Sequence, residues 1–302
     1  MRAFQLHSTG KIIFLLLTGL LSFSADGFAL GQIQYVETAP TKKAFPIVQK
    51  NSAAEILVDT NDFVGVLIAA NNLQTDITRV TGVSPKIFGD GKNSGKNAII
   101  IGTIGKSKFI DELIRQKKID VSDIGNKWES FFLQVVSKPL PGIKNALVIC
   151  GSDKRGTIYG IYDLSAQIGI SPWYFWDDVP AKHHDELFVR AGKFEQGPPS
   201  VKYRGIFLND EAPDLSGWVR KKYGTVPGMP GVANYGRGFY TNLFELMLRI
   251  RANYLWPAMW SNAFNEDDPE NPKLANEYGI VMGTSHQEPM MRAQKEWDRG
   301  LG

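Results

Sequence analysis

The stretch YRGIFLNDEAP, residues 203–213, begins as a strand and ends in polar residues. Its apolar and aromatic residues favour extended structure, which stops at three polar residues, 209–211, the last two of which carry carboxylates. Two further apolar runs follow, NYLWPAMW (253–260) and IVMGTSH (280–286), and helical patterns separate all three. Buried strands that alternate with helices indicate a parallel sheet, either doubly wound or part of a (β/α)8 barrel.

The organisation of the chain on either side of this stretch predicts an α/β protein with two domains. A polar segment extends to about Ser52, and strand and helix patterns then alternate, so we expect an α/β domain over residues 35–195. EQGPPSVKY (195–203) predicts an exposed joint. A (β/α)8 barrel takes about 250 residues, so residues 201–302 would hold only its first βα units, a truncated barrel.

The amino terminus has the pattern of a secretory signal peptide over residues 1–25. Basic residues precede an apolar run from Ile12 to Phe23, and small residues follow it. The run is too short for the roughly 20 residues that cross a bilayer, so we expect no membrane span after signal cleavage. The pattern predicts an exported protein, either periplasmic or extracellular. Cys150 is the single cysteine, which excludes a disulfide scaffold.

Charge and glycine spacing exclude two classes of binding protein. The net charge is +3, from 34 basic and 31 acidic residues without a basic cluster, so we expect no nucleic-acid partner. DGKNSGKN (90–97) and IIGTIGKS (100–107) lack the glycine spacing of a phosphate-binding loop. Both segments are therefore predicted to be turns.

Polar and aromatic residues lie at the ends of the three predicted strands after the joint. The carboxyl ends of parallel strands converge on one cleft, where the chemistry of such folds is carried out. A single polar strand end is more simply explained as a turn cap, but three together favour a site. The candidates are Asn209, Asp210 and Glu211 after the first strand, Trp256 and Trp260 after the second, and His286 and Glu288 after the third.

The adjacent carboxylates Asp210 and Glu211 are not expected to act as an acid and base pair. Side chains alternate along a strand, so the two should point in different directions. A partner carboxylate must come from another strand, and Glu288 is a candidate. One histidine, His286, among carboxylates does not make a metal site, and none is predicted.

The sequence from Tyr203 to Trp297 resembles glycoside hydrolase family 115, the xylan α-1,2-glucuronidases. The stretches YRGIFLNDEAP, LRIRANYLWPAMW and AFNEDDPENPKLANEYGIVMGTSHQEPMMRAQKEW carry the resemblance. Upstream, RGTIYGIYDLSAQIGISPWYFWDDVP (155–180) is similar to the end of the α/β domain that precedes the barrel in that family, in other α-glucuronidases and in hexosaminidases. The family chains run several hundred residues further, which implies that this chain is an amino-terminal fragment.

The resemblance implies an activity and roles for the candidate residues. The implied enzyme removes (4-O-methyl)glucuronic acid side groups from xylan, with inversion and without a metal or organic cofactor. Asn209, Asp210, Glu211 and His286 are implied to line the uronate pocket. The catalytic candidates are Asp210, Glu211 and Glu288. The implied partners are glucuronoxylan or oligosaccharides derived from it, with a homodimer as one alternative for the full-length protein.

The competing hypothesis is a non-catalytic carbohydrate-binding module. The aromatic segment SPWYFWDDVP (171–180) offers Trp173 and Trp176 as a platform for a sugar face. Packing between the two domains is the favoured explanation for both rings. Xylan binding by residues 26–200 alone would support the module.

Overall fold

The computed structural model describes residues 33–89, 95–283, 294–296 and 298–299. The strands are β1 Val36–Glu37, β2 Phe45–Gln49, β3 Ser52–Ala53, β4 Glu55–Val58, β5 Ile87–Phe88, β6 Asn97–Thr103, β7 Phe131–Ser137, β8 Asn145–Gly151, β9 Leu187–Val189, β10 Lys193–Gln196, β11 Gly205–Phe207, β12 Tyr254–Trp256 and β13 Val281–Met282. The helices are α1 Val64–Thr81, α2 Lys108–Arg115, α3 Lys154–Gln167, α4 Asp214–Tyr223, α5 Arg237–Arg249, α6 Phe264–Asp267, α7 Asn271–Tyr278 and α8 Gln294–Glu296.

A six-stranded sheet in the order β10-β7-β8-β6-β4-β5 is the centre of the first part of the chain. Strands β4, β5, β6 and β8 are parallel, and β7 and β10 run antiparallel to their neighbours. Ile99 and Ile101 of β6 face the core with α1 and α3, whereas Ile100 faces the core with α2. Helices on both faces bury the central strands β4, β6 and β8, so the predicted α/β class is confirmed.

A second sheet, in the order β1-β9-β2-β3, is antiparallel and was not predicted. The expectation of a polar segment up to Ser52 is wrong here, because Phe45, Ile47 and Val48 of β2 are buried. Strands of two to five residues contain too few alternations for their period to be recognised.

The third sheet contains three parallel strands in the order β11-β12-β13. Helices α4 and α5 follow β11, and α6 and α7 follow β12. The apolar face of α5, with Phe239, Leu243 and Met247, lies in the same core as β12. The predicted order of parallel βα units is thus confirmed for these strands, and closure of a barrel stays a prediction.

A buried group of charged and polar side chains, the Glu129 cluster, ties the first sheet to the third. It consists of Glu129, Arg155, Arg204 and Asn253. Glu129 is fully buried as a side chain, and its Oε2 accepts from Nη2 of Arg204 at 2.6 Å. Its Oε1 accepts from Nε of Arg155 and from Nδ2 of Asn253, the latter at 2.7 Å. The cluster therefore fixes the segments that lead into β11 and β12.

The carboxylate of Asp268 should make the folding stability fall in acid. Asp268 accepts from the guanidinium and the backbone N–H of Arg237, the first residue of α5. These bonds lower the pKa of Asp268 from 3.8 to about 2, so its stabilising effect is complete above pH 3.8 and is lost as the pH falls through 2. In urea titrations, we expect Asp268→Asn to destabilise the protein at pH 7 and to match the wild type near pH 2. An equal difference at both values would contradict this assignment.

Candidate functional site

The carboxyl ends of β11 and β12 lie side by side at one edge of the third sheet. Phe207 is in register with Trp256, and the N–H of Leu208 donates to the carbonyl of Trp256 at 3.0 Å. The N–H of Gly283, after β13, donates to the carbonyl of Leu255 at 2.8 Å. The structure thus brings the first two predicted strand ends together. The candidates His286 and Glu288 of the third lie outside the described residues.

Exposure alternates along the segment that leaves β11, and this separates the two adjacent carboxylates. Phe207, Asn209 and Glu211 are exposed, whereas Leu208 and Asp210 are buried, Asp210 with 2% of its surface accessible. The alternation continues the period of a strand. Asn209 and Glu211 therefore face solvent, and Asp210 points into the protein.

The carboxylate of Asp210 binds the turn that follows β12. Its Oδ1 accepts from the N–H of Met259 and its Oδ2 from the N–H of Trp260, both at 3.1 Å. Burial raises the pKa of Asp210, and the two amide donors oppose that shift. No ion pair to Asp210 is found within the described ranges. Asp210 therefore fixes the strand end instead of facing a cleft, and Glu211 is the carboxylate open to a ligand.

The aromatic candidates lie at the same strand ends and are partly exposed. Trp256 donates its indole N–H to the hydroxyl of Tyr254 at 2.9 Å, and its ring meets that of Phe207 edge to face at 5.6 Å. Trp260, at the turn held by Asp210, is 40% exposed. Sequence analysis missed Phe207, although its spacing of two and four residues from Asn209 and Glu211 was the available signal.

Asn209 is oriented by its own backbone turn. Its Oδ1 accepts from the N–H of Glu211 at 3.3 Å, as in an Asx turn. The amide oxygen is thereby engaged, and the NH2 group is the part of the side chain with donors to offer. The strand end can thus present a carboxylate, an amide donor and aromatic faces to a polar ligand.

A cleft at the opposite ends of these strands is not this site. It has a volume of about 400 Å³ and lies at the amino ends of β11 and β12, lined by Glu129, Tyr159 and Arg204 among others. Arg204 donates to Glu129, to the Tyr159 hydroxyl and to the carbonyl of Arg251, so these polar groups already serve the Glu129 cluster. Chemistry in parallel folds occurs at the opposite, carboxyl ends.

Replacing Asp210 should destabilise the protein because its two oxygens satisfy two backbone donors. Asp210→Asn keeps the volume but turns an NH2 group toward one of the amides, so we expect a loss of about 1–3 kcal/mol in the free energy of unfolding. The matched variant Glu211→Gln alters an exposed side chain and should stay within about 0.5 kcal/mol of the wild type. Urea denaturation of both variants measures the difference. Equal stabilities would contradict the positioning role of Asp210.

Comparison with known proteins adds two family matches. The model for glycosyl hydrolase family 115 matches residues 196–302, and the model for the glycosyl hydrolase family 67 N-terminus matches residues 34–164. Among solved structures, the chain is similar to the family GH115 4-O-methyl-α-glucuronidase BtGH115A, described as specific for decorated arabinogalactans. The identity is 36% and the TM-score 0.64, over 77% of this chain and 29% of that chain. No curated protein sequence matches significantly.

More distant structural similarities concern hexosaminidases. The chitobiase of Flavobacterium johnsoniae is 14% identical, with a TM-score of 0.43 over 87% of this chain and 36% of that chain. A β-hexosaminidase of Streptomyces plicatus is 12% identical, with a TM-score of 0.45 over 83% and 44%. Neither similarity is strong enough to carry a conclusion.

The α/β domain, the parallel βα units and the two family matches together assign the chain to the glycoside hydrolase families. The chain belongs to glycosyl hydrolase family 115. It spans 29% of the length of the family 115 structure that it matches.

Proposed function

We propose that the protein removes (4-O-methyl)glucuronic acid side groups from a plant polysaccharide, with inversion at the anomeric carbon. The observation that carries the proposal is the 36% identity to a 4-O-methyl-α-glucuronidase over 77% of this chain. An open strand end that bears Glu211 supports it, since glycoside hydrolysis depends on carboxyl groups.

In the proposed mechanism, the two catalytic carboxyl groups come from different strand ends. An inverting enzyme needs two carboxyl groups about 6.5–9.5 Å apart, one to protonate the leaving oxygen and one to activate water. Glu211 supplies one of them. Asp210 is occupied by two backbone amides, so the second must come from another strand, and Glu288 is our candidate. Asn209 and His286 are proposed to donate hydrogen bonds to the uronate.

The aromatic residues of the strand ends are proposed to bind the sugar rings. Trp256, Trp260 and Phe207 offer flat apolar faces that suit the C–H faces of sugars. Removing such a face weakens binding of both ground state and transition state, so its loss should appear mainly in KM.

We further propose export and a barrel architecture. The signal pattern of residues 1–25 supports a periplasmic or extracellular location. The parallel order of β11, β12 and β13 supports a (β/α)8 barrel that residues 201–302 begin, after an α/β domain at residues 35–195. In the described part of the chain, every helix is too short or too polar to cross a membrane.

Two polysaccharides are candidates for the substrate. The motif resemblance favours glucuronoxylan, while the matched 4-O-methyl-α-glucuronidase is described as specific for decorated arabinogalactans. Incubation of the protein, as its gene encodes it, with each polysaccharide and chromatography of the released acids decides between them. We expect glucuronic acid from at least one, and release of pentose or galactose without uronic acid would overturn the assignment.

The non-catalytic module is the weaker alternative. Its proposed platform is not intact, because the ring of Trp176 packs against Trp218 at 5.6 Å and Phe239 at 5.9 Å. These ring contacts support the predicted packing role of Trp176. Trp173 is 43% exposed, and its packing role stays a prediction. Glycan binding without hydrolysis by the whole protein would favour the module.

A further inference from the structure

A shallow cleft between the end of α1 and the loop of residues 170–181 is separate from the strand-end site. It has a volume of about 360 Å³, within the range of small-molecule pockets. Arg79, Ser171 and Asp178 contribute polar groups to its lining, and Val179 contributes apolar surface. The loop carries the aromatic segment to which the proposed function gives no role.

Arg79 is held in place before any ligand binds. Its guanidinium carbon lies 4.1 Å from the ring centroid of Tyr174, whose hydroxyl donates to Glu245 at 2.8 Å. One of its nitrogens lies 3.3 Å from the buried carboxylate of Asp76, which also pairs with Arg249 at 2.8 Å. The Arg79 side chain is still 39% exposed. A guanidinium group that is already fixed and still open to solvent loses little conformational entropy when its N–H donors bind a ligand.

The two charged groups of the lining select the chemistry of the ligand. A guanidinium only donates hydrogen bonds, and an ionised carboxylate only accepts them. A vicinal diol suits both, because one hydroxyl can accept from Arg79 while its neighbour donates to Asp178. Arg79 already pairs with Asp76, so an anionic sugar would gain little from Arg79 while bringing its charge toward Asp178. The lining therefore favours a neutral sugar. Val179 adds an apolar surface for its C–H face.

We propose that this cleft binds a neutral sugar unit in the backbone of the polysaccharide whose side groups the strand-end site releases. The inference rests on the proposed function for the choice of a glycan. It gives the amino-terminal α/β part of the chain a role in holding the polymer rather than in hydrolysis.

Calorimetric titration tests the proposal. The protein, as its gene encodes it, is titrated with two oligosaccharides that carry no side groups. Linear β-1,4-xylohexaose and an unbranched galacto-oligosaccharide distinguish the two polysaccharide backbones. We expect at least one to bind, and Asp178→Asn to raise its Kd about tenfold or more, the scale of a hydrogen bond to a charged group. Position 178 has a φ of 49°, which asparagine tolerates, so this variant should fold.

The neighbouring exposed carboxylate provides the matched control. Asp177→Asn should bind as the wild type does, because Asp177 is not part of the lining. Arg79→Lys should weaken binding as Asp178→Asn does, because lysine keeps the positive charge beside Asp76 but lacks the several N–H donors of the guanidinium. Equal Kd values for Asp178→Asn and the wild type, or no binding by a protein that still releases glucuronate, would overturn the inference. Binding that depends on Asp178 without any glucuronate release would instead refute the proposed function.

Discussion

The Glu211→Gln variant is expected to lower kcat/KM for glucuronate release by about 10²-fold or more, the scale of losing a general acid or base. The substitution keeps the size of the side chain and removes only its ability to carry or transfer a proton. Because Glu211 is exposed at the open strand end, the fold should not change. Initial rates on the preferred polysaccharide, with the free energy of unfolding measured alongside, give the comparison.

A nearby carboxylate serves as the control for this substitution. Asp214 begins α4 three residues further on and is also exposed. Asp214→Asn should leave kcat/KM within a few-fold of the wild type. If the Glu211→Gln variant keeps a near-wild-type rate, residues 209–211 only cap the strand and the catalytic role of Glu211 is contradicted.

Loss of the Glu129 carboxylate should have the largest effect on stability. The Glu129→Gln variant leaves Arg155 and Arg204 facing each other without their shared counter-charge. Breaking a buried ion pair by removing one partner costs about 3–5 kcal/mol. Both guanidinium groups remain about a quarter exposed, so we expect the lower end of that range. The urea midpoint at constant m-value measures the loss.

An exposed ion pair provides the comparison. Glu112 of α2 pairs with Arg115 at the surface, where solvent screens the attraction. Glu112→Gln should leave the urea midpoint almost unchanged. If the two glutamine variants have similar midpoints, the Glu129 cluster does not hold the sheets together.

The parallel sheet and the edge that holds the candidate site could be predicted from the sequence because local pattern determines both. Near-continuous apolar runs separated by helical patterns indicate buried parallel strands, and polar residues at their ends follow from the same pattern. The alternation of side chains also predicted that Asp210 and Glu211 would point in different directions. Period alone could not tell which of the two is buried, since that depends on amides 49 and 50 residues away in the chain.

The long-range contacts that fix the site could not be predicted from the sequence for the same reason. Glu129 meets Arg204 and Asn253 across 75 and 124 residues, and no local signal links them. Helix α4 was missed because it buries one residue, Val219, and so shows no apolar stripe. The sequence therefore predicted the parallel strands and the edge where they meet. The antiparallel sheet, helix α4 and the partners of each buried charge required the structure.

A proton NMR time course of polysaccharide hydrolysis tests the central claim most directly. The protein, as its gene encodes it, is incubated with glucuronoxylan and, in parallel, with a glucuronate-decorated arabinogalactan. An inverting α-glucuronidase predicts that the anomeric signal of free β-(4-O-methyl)glucuronic acid appears first and that the α-anomer follows by mutarotation. Initial release of the α-anomer would contradict inversion, and release of neutral sugars without any glucuronic acid would contradict the proposed activity itself.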